Sequence, residues 1–276
     1  MTTLNRKKVL QPAIRWTGSK RRIASQLAEY FPKDTTCFYD PFVGGGSILP
    51  LRNSKAGVAG DIIDELISLW RLIKTRPLEV ADQYEYYWSR MQAEGHDVYY
   101  EVRSYFNKSR EPMAFLFLTR TCVNGMIRFN RDGNFNSSLH LTRPGIAPDR
   151  LRKILIQWSE QIQDVEFEHG DYRQTLASVK AGDFVFLDPP YAGSGGLYKP
   201  GSFCVNDFYD ELERLNRVGV KWMLTFDGHS GDRKYNGFVP HELYKTKISL
   251  VTGISPFAQV LRKSLEAVHE SVYMNY

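Results

Sequence analysis

The sequence of 276 residues contains little of what a metal, disulfide or membrane protein needs. Its three cysteines, Cys37, Cys122 and Cys204, lie far apart and form no Cys-x-x-Cys pair, so neither a zinc site nor a disulfide framework is predicted. The histidines are scattered as well, and we expect no metal. There is no apolar run of about 18 residues and no apolar core in the first residues of the chain, so neither membrane insertion nor secretion is predicted. We therefore expect a globular, cytoplasmic protein.

Positive charge is concentrated in one part of the chain. The formal net charge is +5, and residues 103–153 hold ten of the 36 Lys and Arg residues but only three of the 31 Asp and Glu residues. This segment therefore carries +7, whereas the rest of the chain carries −2. A local excess of this kind favours a polyanionic partner, while an even distribution would indicate only a soluble surface.

Strand and helix patterns alternate on both sides of a different middle segment. Strands are predicted at residues 36–42, 56–61, 165–168, 183–188, 221–227 and 269–275. Helices are predicted at residues 20–31, 62–74 and near 207–217, with another beginning over 47–52. This order indicates an α/β fold with one sheet.

The middle segment is aromatic, basic and mainly helical, and it ends in a polar run rich in turn residues. It predicts an inserted helical module with a hairpin or loop. We divide the chain into residues 1–75 with 165–276 as one domain and residues 76–164 as the insertion.

The first chemical motif is DPFVGGGS at residues 40–47. Gly44, Gly45 and Gly46 lie between a predicted strand and a predicted helix, where a ligand can approach the backbone and the helix N-terminus offers N–H groups. Asp61 ends the next strand, at the distance where an acidic residue commonly binds ribose hydroxyls. The glycine motif and Asp61 together favour a cofactor that contains adenosine. The Gly-x-Gly-x-x-Gly spacing typical of a pyrophosphate cofactor is absent.

The second motif is DPPY at residues 188–191, directly after the apolar strand FVFL. Two prolines cannot continue a strand ladder, so the chain leaves the sheet at its carboxyl edge. There Asp188 and the Pro189 carbonyl can accept hydrogen bonds from the two protons of an amine on a flat ring, and Tyr191 can stack on the ring. A simple proline turn is the alternative, and the neighbouring glycine motif argues against it.

The sequence resembles the Dam-like class of adenine-specific DNA methyltransferases along nearly its whole length. Segments in that family's order are RWTGSKRRI (15–23), DPFVGGGS (40–47), GDIIDELISLW (60–70), YYEVRSYFN (99–107), FLTRTCVNGMIRFNRDGNFN (117–136), GDYRQTL (170–176), DPPY (188–191) and ESVYMNY (270–276). The resemblance implies a Rossmann-like methyltransferase sheet, an inserted target-recognition domain, a double-stranded DNA substrate and a DNA-associated location in a bacterial or phage-like setting.

The resemblance also implies S-adenosylmethionine as methyl donor and S-adenosylhomocysteine as product. Trp16, Lys20 and the Gly44 region would hold its methionine part, Asp61 its ribose and Asp171 its adenine. The implied cofactor set is Trp16, Lys20, Asp40, Phe42, Gly44, Gly45, Gly46, Ser47, Asp61, Asp171 and Asp188. The implied catalytic set is Asp188, Pro189, Pro190 and Tyr191. The implied DNA-binding set is Asn124, Arg128, Asn130, Arg131, Asn136 and Arg143.

The chemistry of methyl transfer agrees with these residues. A sulfonium methyl is already activated, so the enzyme needs alignment and electrostatics rather than a metal or a nucleophilic side chain. A paired adenine must be flipped out of the duplex into a pocket with aromatic walls. A methyltransferase for the exocyclic amine of cytosine and an inactive DNA-binding homologue remain alternatives.

One segment departs from the family pattern. Residues 137–143, SSLHLTR, lack the Val-Pro-Phe-Gly run and the basic residue usual in GATC-directed members. The sequence therefore leaves open whether the target is GATC or a related site, and whether a restriction endonuclease accompanies the protein.

Overall fold

A computed structural model describes residues 9–190, 203–230, 233–235, 239–254 and 267–276. Residues 227–230, 233–235, 253–254 and 267–268 are described by their backbone only. The strands are β1 Cys37–Asp40, β2 Ala56–Asp61, β3 Val165–His169, β4 Phe184–Leu187, β5 Lys221–Ser230, β6 Arg233–Tyr235, β7 Thr246–Ile254 and β8 Ala267–Met274. The α-helices are α1 Ala24–Glu29, α2 Asp64–Thr75, α3 Pro77–Glu94, α4 Asp97–Ser109, α5 Pro112–Thr121, α6 Pro148–Gln161, α7 Tyr172–Thr175 and α8 Val205–Val218. The 3-10 helices are Lys20–Arg22, Leu49–Leu51, Val123–Gly125 and His241–Leu243.

The strands form one sheet in the order β3-β2-β1-β4-β5-β8-β7, with β6 paired to the end of β5. Strands β1 to β5 run parallel, and β8 lies antiparallel between β5 and β7. The chain order reverses between β1 and β4, which opens a crevice at the carboxyl ends of these two strands. The fold is therefore α/β with one Rossmann-like sheet, as predicted.

The burial of the strands explains why they were recognisable in the sequence. All four residues of β4 are buried, as expected for a central parallel strand covered on both faces. The sequence did not predict the edge strand β7, because its described residues are exposed or half-buried and form no continuous apolar run. The prediction of a helix beginning over residues 47–52 was wrong. Only the 3-10 helix Leu49–Leu51 forms there, with Pro50 inside it, because proline interrupts helical hydrogen bonding.

Helices α3 and α4 of the middle segment pack against α5, whose residues 114–121 are all buried. Its N-terminus is capped by Glu111, whose side chain accepts hydrogen bonds from the backbone N–H groups of Met113 and Ala114; this satisfies donors that the first turn leaves unpaired. Helix α6 returns to the sheet, where Trp158 contacts Trp70 of α2 at 5.0 Å between ring centroids. One apolar core thus continues from the sheet into these helices.

In the described part of the chain, no helix is both long and apolar enough to cross a membrane.

Candidate active site

A cavity lies at the carboxyl ends of β1, β2 and β4, where the strand order reverses. Its volume is about 1160 Å³ including space open to solvent. Of the residues singled out from the sequence, those that line it are Trp16, Lys20, Asp40, Phe42, Gly44, Gly45, Ser47, Asp61, Asp171, Asp188, Pro189 and Pro190. Tyr191 falls outside the described residues. The topology thus brings two motifs that are about 140 residues apart in the chain to one site.

The glycine turn makes room for the protein's own tryptophan. A Cβ added to Gly44 would lie 2.7 Å from Nε1 of Trp16, and one added to Gly45 would lie 2.9 Å from Cβ of Trp16. Gly44 also has φ of +45°, in the region that disfavours other residues. Trp16 is half-buried and lines the cavity. Because these two glycines lack side chains, the indole of Trp16 can pack against them in the cavity wall, and a ligand can approach their backbone.

Gly46 does not line the cavity. It has φ of +66°, and a Cβ there would lie 2.9 Å from the ring of Trp70, so this glycine serves core packing. The predicted helix N-terminus after the motif is also missing, because residues 47–52 form only a 3-10 turn. In the glycine turn itself, Gly44 N donates to Asp61 Oδ2 and Gly46 N donates to Val43 O.

Asp61 connects the two halves of the cofactor motif. Its Oδ2 accepts a hydrogen bond from Gly44 N at 3.1 Å, and its Oδ1 accepts one from Ile63 N at 3.1 Å. Burial raises the pKa of Asp61 to about 6, although these backbone donors act in the opposite direction. Each carboxylate oxygen can accept a second hydrogen bond, so the group can still bind a ligand hydroxyl.

Asp40 is a buried carboxyl group in the same wall. Burial, followed by the charge of Asp188, raises its pKa well above the usual range. Its Oδ1 has no hydrogen-bond partner in the described part of the chain. An unpaired buried polar atom costs free energy, and a ligand donor in the cavity would remove that cost.

Asp171 is held in a defined position at the start of α7. Its side chain caps the helix by accepting a hydrogen bond from Arg173 N at 3.0 Å, and Gln174 completes a capping box. Arg173 Nε also contacts Asp171 Oδ1 at 2.7 Å. The carboxylate is therefore fixed before any ligand arrives, but it already has a cation beside it.

Two aromatic side chains that the sequence did not single out, Tyr172 and Phe203, complete the wall beside Phe42. Phe42 stacks on Tyr172 with ring centroids 5.4 Å apart and planes at 28°. Phe203 lies edge-on to Phe42 at 6.2 Å. Both Tyr172 and Phe203 line the cavity. Tyr172 follows Asp171 directly, so the GDYRQTL segment could have indicated it.

Asp188 carries an ion pair that sequence reasoning missed. Lys20 Nζ lies 2.8 Å from Asp188 Oδ1 and 2.7 Å from Glu270 Oε1. The hydroxyl of Thr225 donates to Asp188 Oδ1 at 3.0 Å. Lys20 was assigned to the methionine part of the cofactor, whereas the structure brings its ammonium to the DPPY carboxylate. Glu270 lies in β8 and Thr225 in β5, and no motif in the sequence links either residue to Asp188.

The polar run of the middle segment forms an irregular hairpin. Isolated antiparallel bridges join Cys122 to Leu139 and Phe129 to Phe135. Asn107 of α4 clamps the hairpin, since its side chain accepts a hydrogen bond from Phe135 N at 2.8 Å and donates one to Phe135 O at 3.0 Å. The hairpin is thus fixed to a helix along its inner side, and its outer side is exposed.

The side chains assigned to DNA are all exposed. They are Asn124, Arg128, Asn130, Arg131, Asn136 and Arg143. Asn130 differs from the others because its Oδ1 accepts hydrogen bonds from the backbone of Asp132 and Asn134. Asn130 therefore shapes the hairpin turn, whereas Arg128 makes no ion pair within the described residues.

The sheet order and the cavity define a Rossmann-like methyltransferase, and comparison with known proteins gives its class. Residues 16–235 match the family of D12 class N6 adenine-specific DNA methyltransferases. The chain is 30% identical to a DNA adenine methylase of Serratia marcescens over 218 residues, covering 75% of this chain and 78% of that protein. It is 30% identical to the DNA adenine methylase of Escherichia coli (strain K12) over 202 residues, covering 71% and 70%.

A third relative aligns along almost the full length. It is the Type II methyltransferase M.MjaIII of Methanocaldococcus jannaschii, 26% identical over 299 residues and covering 97% of this chain and 99% of that protein. The chain belongs to the D12 class N6 adenine-specific DNA methyltransferases. It is thus an enzyme that methylates adenine in DNA, and the alternatives of a cytosine methyltransferase and an inactive homologue are set aside.

Proposed function

We propose that the enzyme uses S-adenosylmethionine to methylate the 6-amino group of an adenine flipped out of double-stranded DNA. One observation carries this proposal. A single cavity is lined both by the glycine turn with Asp61 and by Asp188 with Pro189 and Pro190, so a cofactor and a target base can meet there.

The cavity wall suits the proposed cofactor. S-adenosylmethionine carries a sulfonium, an ammonium group, ribose hydroxyls and an adenine amine, and it supplies a methyl group already activated for transfer. Asp40, Asp61 and Asp171 present carboxyl groups around the cavity, and Oδ1 of Asp40 lacks a partner among the described residues. We assign Asp61 to the ribose, Asp171 to the adenine, and Asp40 with Trp16 and the Gly44 turn to the methionine part. Phe42, Gly45 and Ser47 complete the wall on that side.

The chain's own residues would orient the target amine. Oδ1 of Asp188 is occupied by Lys20 and Thr225, whereas Oδ2 makes no hydrogen bond to a described residue. This second oxygen and the Pro189 carbonyl are proposed to accept the two amine protons, which favours the pyramidal amine whose lone pair can attack. Pro190 fixes the direction of the loop, and Tyr191 is proposed to stack on the base.

Residues 76–164 are proposed as the target-recognition domain. The exposed side of the hairpin presents Arg128, Arg131 and other polar side chains that match phosphates and base edges. One relative is named a Type II methyltransferase, so a restriction endonuclease partner is proposed as one setting for this enzyme, at a GATC or related site. We also propose that the enzyme acts in association with DNA in the cytoplasm.

Methylation of unmodified duplex DNA, followed by mapping of modified bases, tests the proposal. We expect transfer from S-adenosylmethionine to the 6-amino group of adenine at one short sequence. Transfer to cytosine, or binding of the cofactor without any transfer to DNA, would contradict it. Calorimetric binding of S-adenosylhomocysteine, the product, tests the cofactor site independently of catalysis.

A further inference from the structure

The buried Lys20 ammonium lies between two carboxylates rather than beside one. Its distances are 2.8 Å to Oδ1 of Asp188 and 2.7 Å to Oε1 of Glu270. The side chains of Lys20, Asp188 and Glu270 are 5%, 21% and 10% exposed. Asp188 and Lys20 line the cavity, whereas Glu270 is not among the lining residues. Because these groups are shielded from water, their mutual electrostatics are strong.

Three neighbouring strands position Asp188, Thr225 and Glu270. Asp188 follows β4, Thr225 lies in β5, and Glu270 lies in β8, which pairs antiparallel with β5. Leu187 pairs with Leu224, so Asp188 and Thr225 emerge side by side. Lys20 reaches both carboxylates from the 3-10 helix Lys20–Arg22. The sheet therefore holds the backbone of Glu270 beside β5, and its side chain is 10% exposed.

The charges explain why a second carboxylate is needed. Lys20 alone would neutralise Asp188, and a neutral pair offers little to an amine that becomes cationic as it takes the methyl group. With the carboxylate of Glu270 included, the formal charge of the trio is −1. A fixed negative charge beside developing positive charge lowers the barrier without reorganisation.

We propose that Glu270 is a positioning residue for methyl transfer, which holds Lys20 on Oδ1 of Asp188 and leaves that carboxylate net negative charge toward the target amine. This inference rests on the proposed role of Asp188. It separates two functions of the DPPY carboxylate. Oδ1 is used to fix the group, and Oδ2 remains for the substrate.

The pH dependence of the reaction gives a readout that a purely structural role would not change. The groups that face Asp188 are Asp40 from β1, Lys20, Thr225 from β5 and Glu270 from β8. Burial raises the pKa of Asp188 most, Lys20 lowers it, and Glu270 raises it. Replacing Glu270 with glutamine should move the acid limb of kcat to lower pH, and replacing Lys20 with methionine should move it to higher pH.

The experiment compares the kcat of methylation for Glu270→Gln, Lys20→Met and the double variant at saturating cofactor and DNA. We expect Glu270→Gln to reduce kcat by about tenfold or more while the cofactor Kd changes by less than about threefold. In the Lys20→Met background the same change should have little further effect, because Glu270 acts through Lys20. Glu270→Asp, which keeps the charge, should keep the wild-type acid limb.

A matched control is Glu211→Gln, since Glu211 is buried and ion-paired to Arg214 on α8, away from the cavity. It should change stability without moving the acid limb. Equal kcat and an unshifted limb in Glu270→Gln would overturn the inference, as would equal losses with and without Lys20. If Glu270→Gln does not fold, the shift of the acid limb to higher pH in Lys20→Met and the unshifted limb in Glu270→Asp decide. Failure of the wild-type enzyme to methylate would instead contradict the proposed function.

Discussion

Asp61 and Gly44 are joined by a hydrogen bond of 3.1 Å from the glycine N–H to the carboxylate Oδ2. The bond ties the end of β2 to the turn after β1, so the proposed ribose and methionine subsites cannot move independently. It also means that Asp61 stabilises the turn before any cofactor binds. A substitution at Asp61 therefore acts on two neighbouring parts of the site.

The first prediction concerns this carboxylate and pH. Because the pKa of Asp61 is raised to about 6 by burial, cofactor affinity should rise as the pH increases through about 6 if the ionised form accepts the ribose hydroxyls. Calorimetric titration with S-adenosylhomocysteine across this range measures the step. In Asp61→Asn the step should disappear, and the affinity at neutral pH should fall by about 1–3 kcal/mol.

Stability should show the opposite trend in the protein without cofactor. The folded pKa lies above the unfolded value, so the folded state binds the proton more tightly, and the contribution of Asp61 to stability falls as the pH rises from about 4 to about 6. Chemical unfolding of the wild type and Asp61→Asn would compare the slopes. An unchanged slope in the variant would show that another group titrates.

The second prediction separates catalysis from cofactor binding. Asp188→Ala should abolish methyl transfer and keep the cofactor Kd within about tenfold, because the carboxylate is assigned to the target amine. Single-turnover methylation and calorimetry give the two values. A loss of cofactor binding in proportion to activity would place Asp188 in the cofactor site instead.

The third prediction concerns Asp171, which is both a helix cap and a proposed ligand for the cofactor adenine. Asp171→Ala should weaken cofactor binding by about 1–3 kcal/mol and cost about 1 kcal/mol of stability through loss of the cap. Arg173→Ala removes the cation that contacts Asp171 at 2.7 Å and should leave cofactor affinity equal or higher. Weaker binding in Arg173→Ala would indicate that the arginine, not the aspartate, holds the ligand.

Motifs with a local cause were predictable from the sequence. The apolar strand before DPPY, the glycines with φ above zero and the spacing to Asp61 each follow from residues close together in the chain. The sheet was therefore predicted correctly, and most of the residues singled out for the cofactor line one cavity, while their roles stay predictions. The helix expected after the glycine motif failed at Pro50, where a turn signal outweighed the helical pattern.

Relationships between distant residues were not predictable in this way. Glu270 meets Lys20 only because β8 inserts beside β5, and no local pattern carries that information. Likewise, Gly44 and Gly46 look equivalent in the sequence, but one faces Trp16 in the cavity and the other faces Trp70 in the core. Sheet topology decides such contacts.

The fourth prediction concerns salt. The excess of +7 counted over residues 103–153 overstates the free charge, because Arg110 pairs with Glu65 and Arg152 pairs with Asp82 and Glu85 outside that segment. Exposed arginines such as Arg128 and Arg131 remain. DNA affinity should therefore fall with salt, by a slope of about −0.9 in log Kobs against log salt for each phosphate contacted. Fluorescence anisotropy on a nonspecific duplex measures this slope, and a flat response would place the basic surface away from DNA.

The last prediction assigns base reading to Arg128. Its backbone N–H donates to Ser137 Oγ at 3.1 Å and its carbonyl accepts from Asn136 N at 3.0 Å, so the hairpin fixes the main chain and leaves the side chain exposed. Arginine can donate two hydrogen bonds to the major-groove acceptors of guanine, worth about 1–3 kcal/mol of discrimination. Arg128→Ala should therefore relax preference at one base pair when methylation is profiled over all single substitutions of the mapped site.

Arg131 in the same hairpin is the matched control, since it is equally exposed and lies at the turn. If it contacts phosphate, Arg131→Ala should weaken all sequences alike and reduce the salt slope by about 1. The same uniform weakening in Arg128→Ala would refute base reading by that residue.

Because residues 137–143 depart from GATC-directed relatives, we expect the inner bases of the site to be shared with them and the outer bases to be altered. Strict GATC methylation by the wild type would show that the missing Val-Pro-Phe-Gly run is dispensable for that specificity.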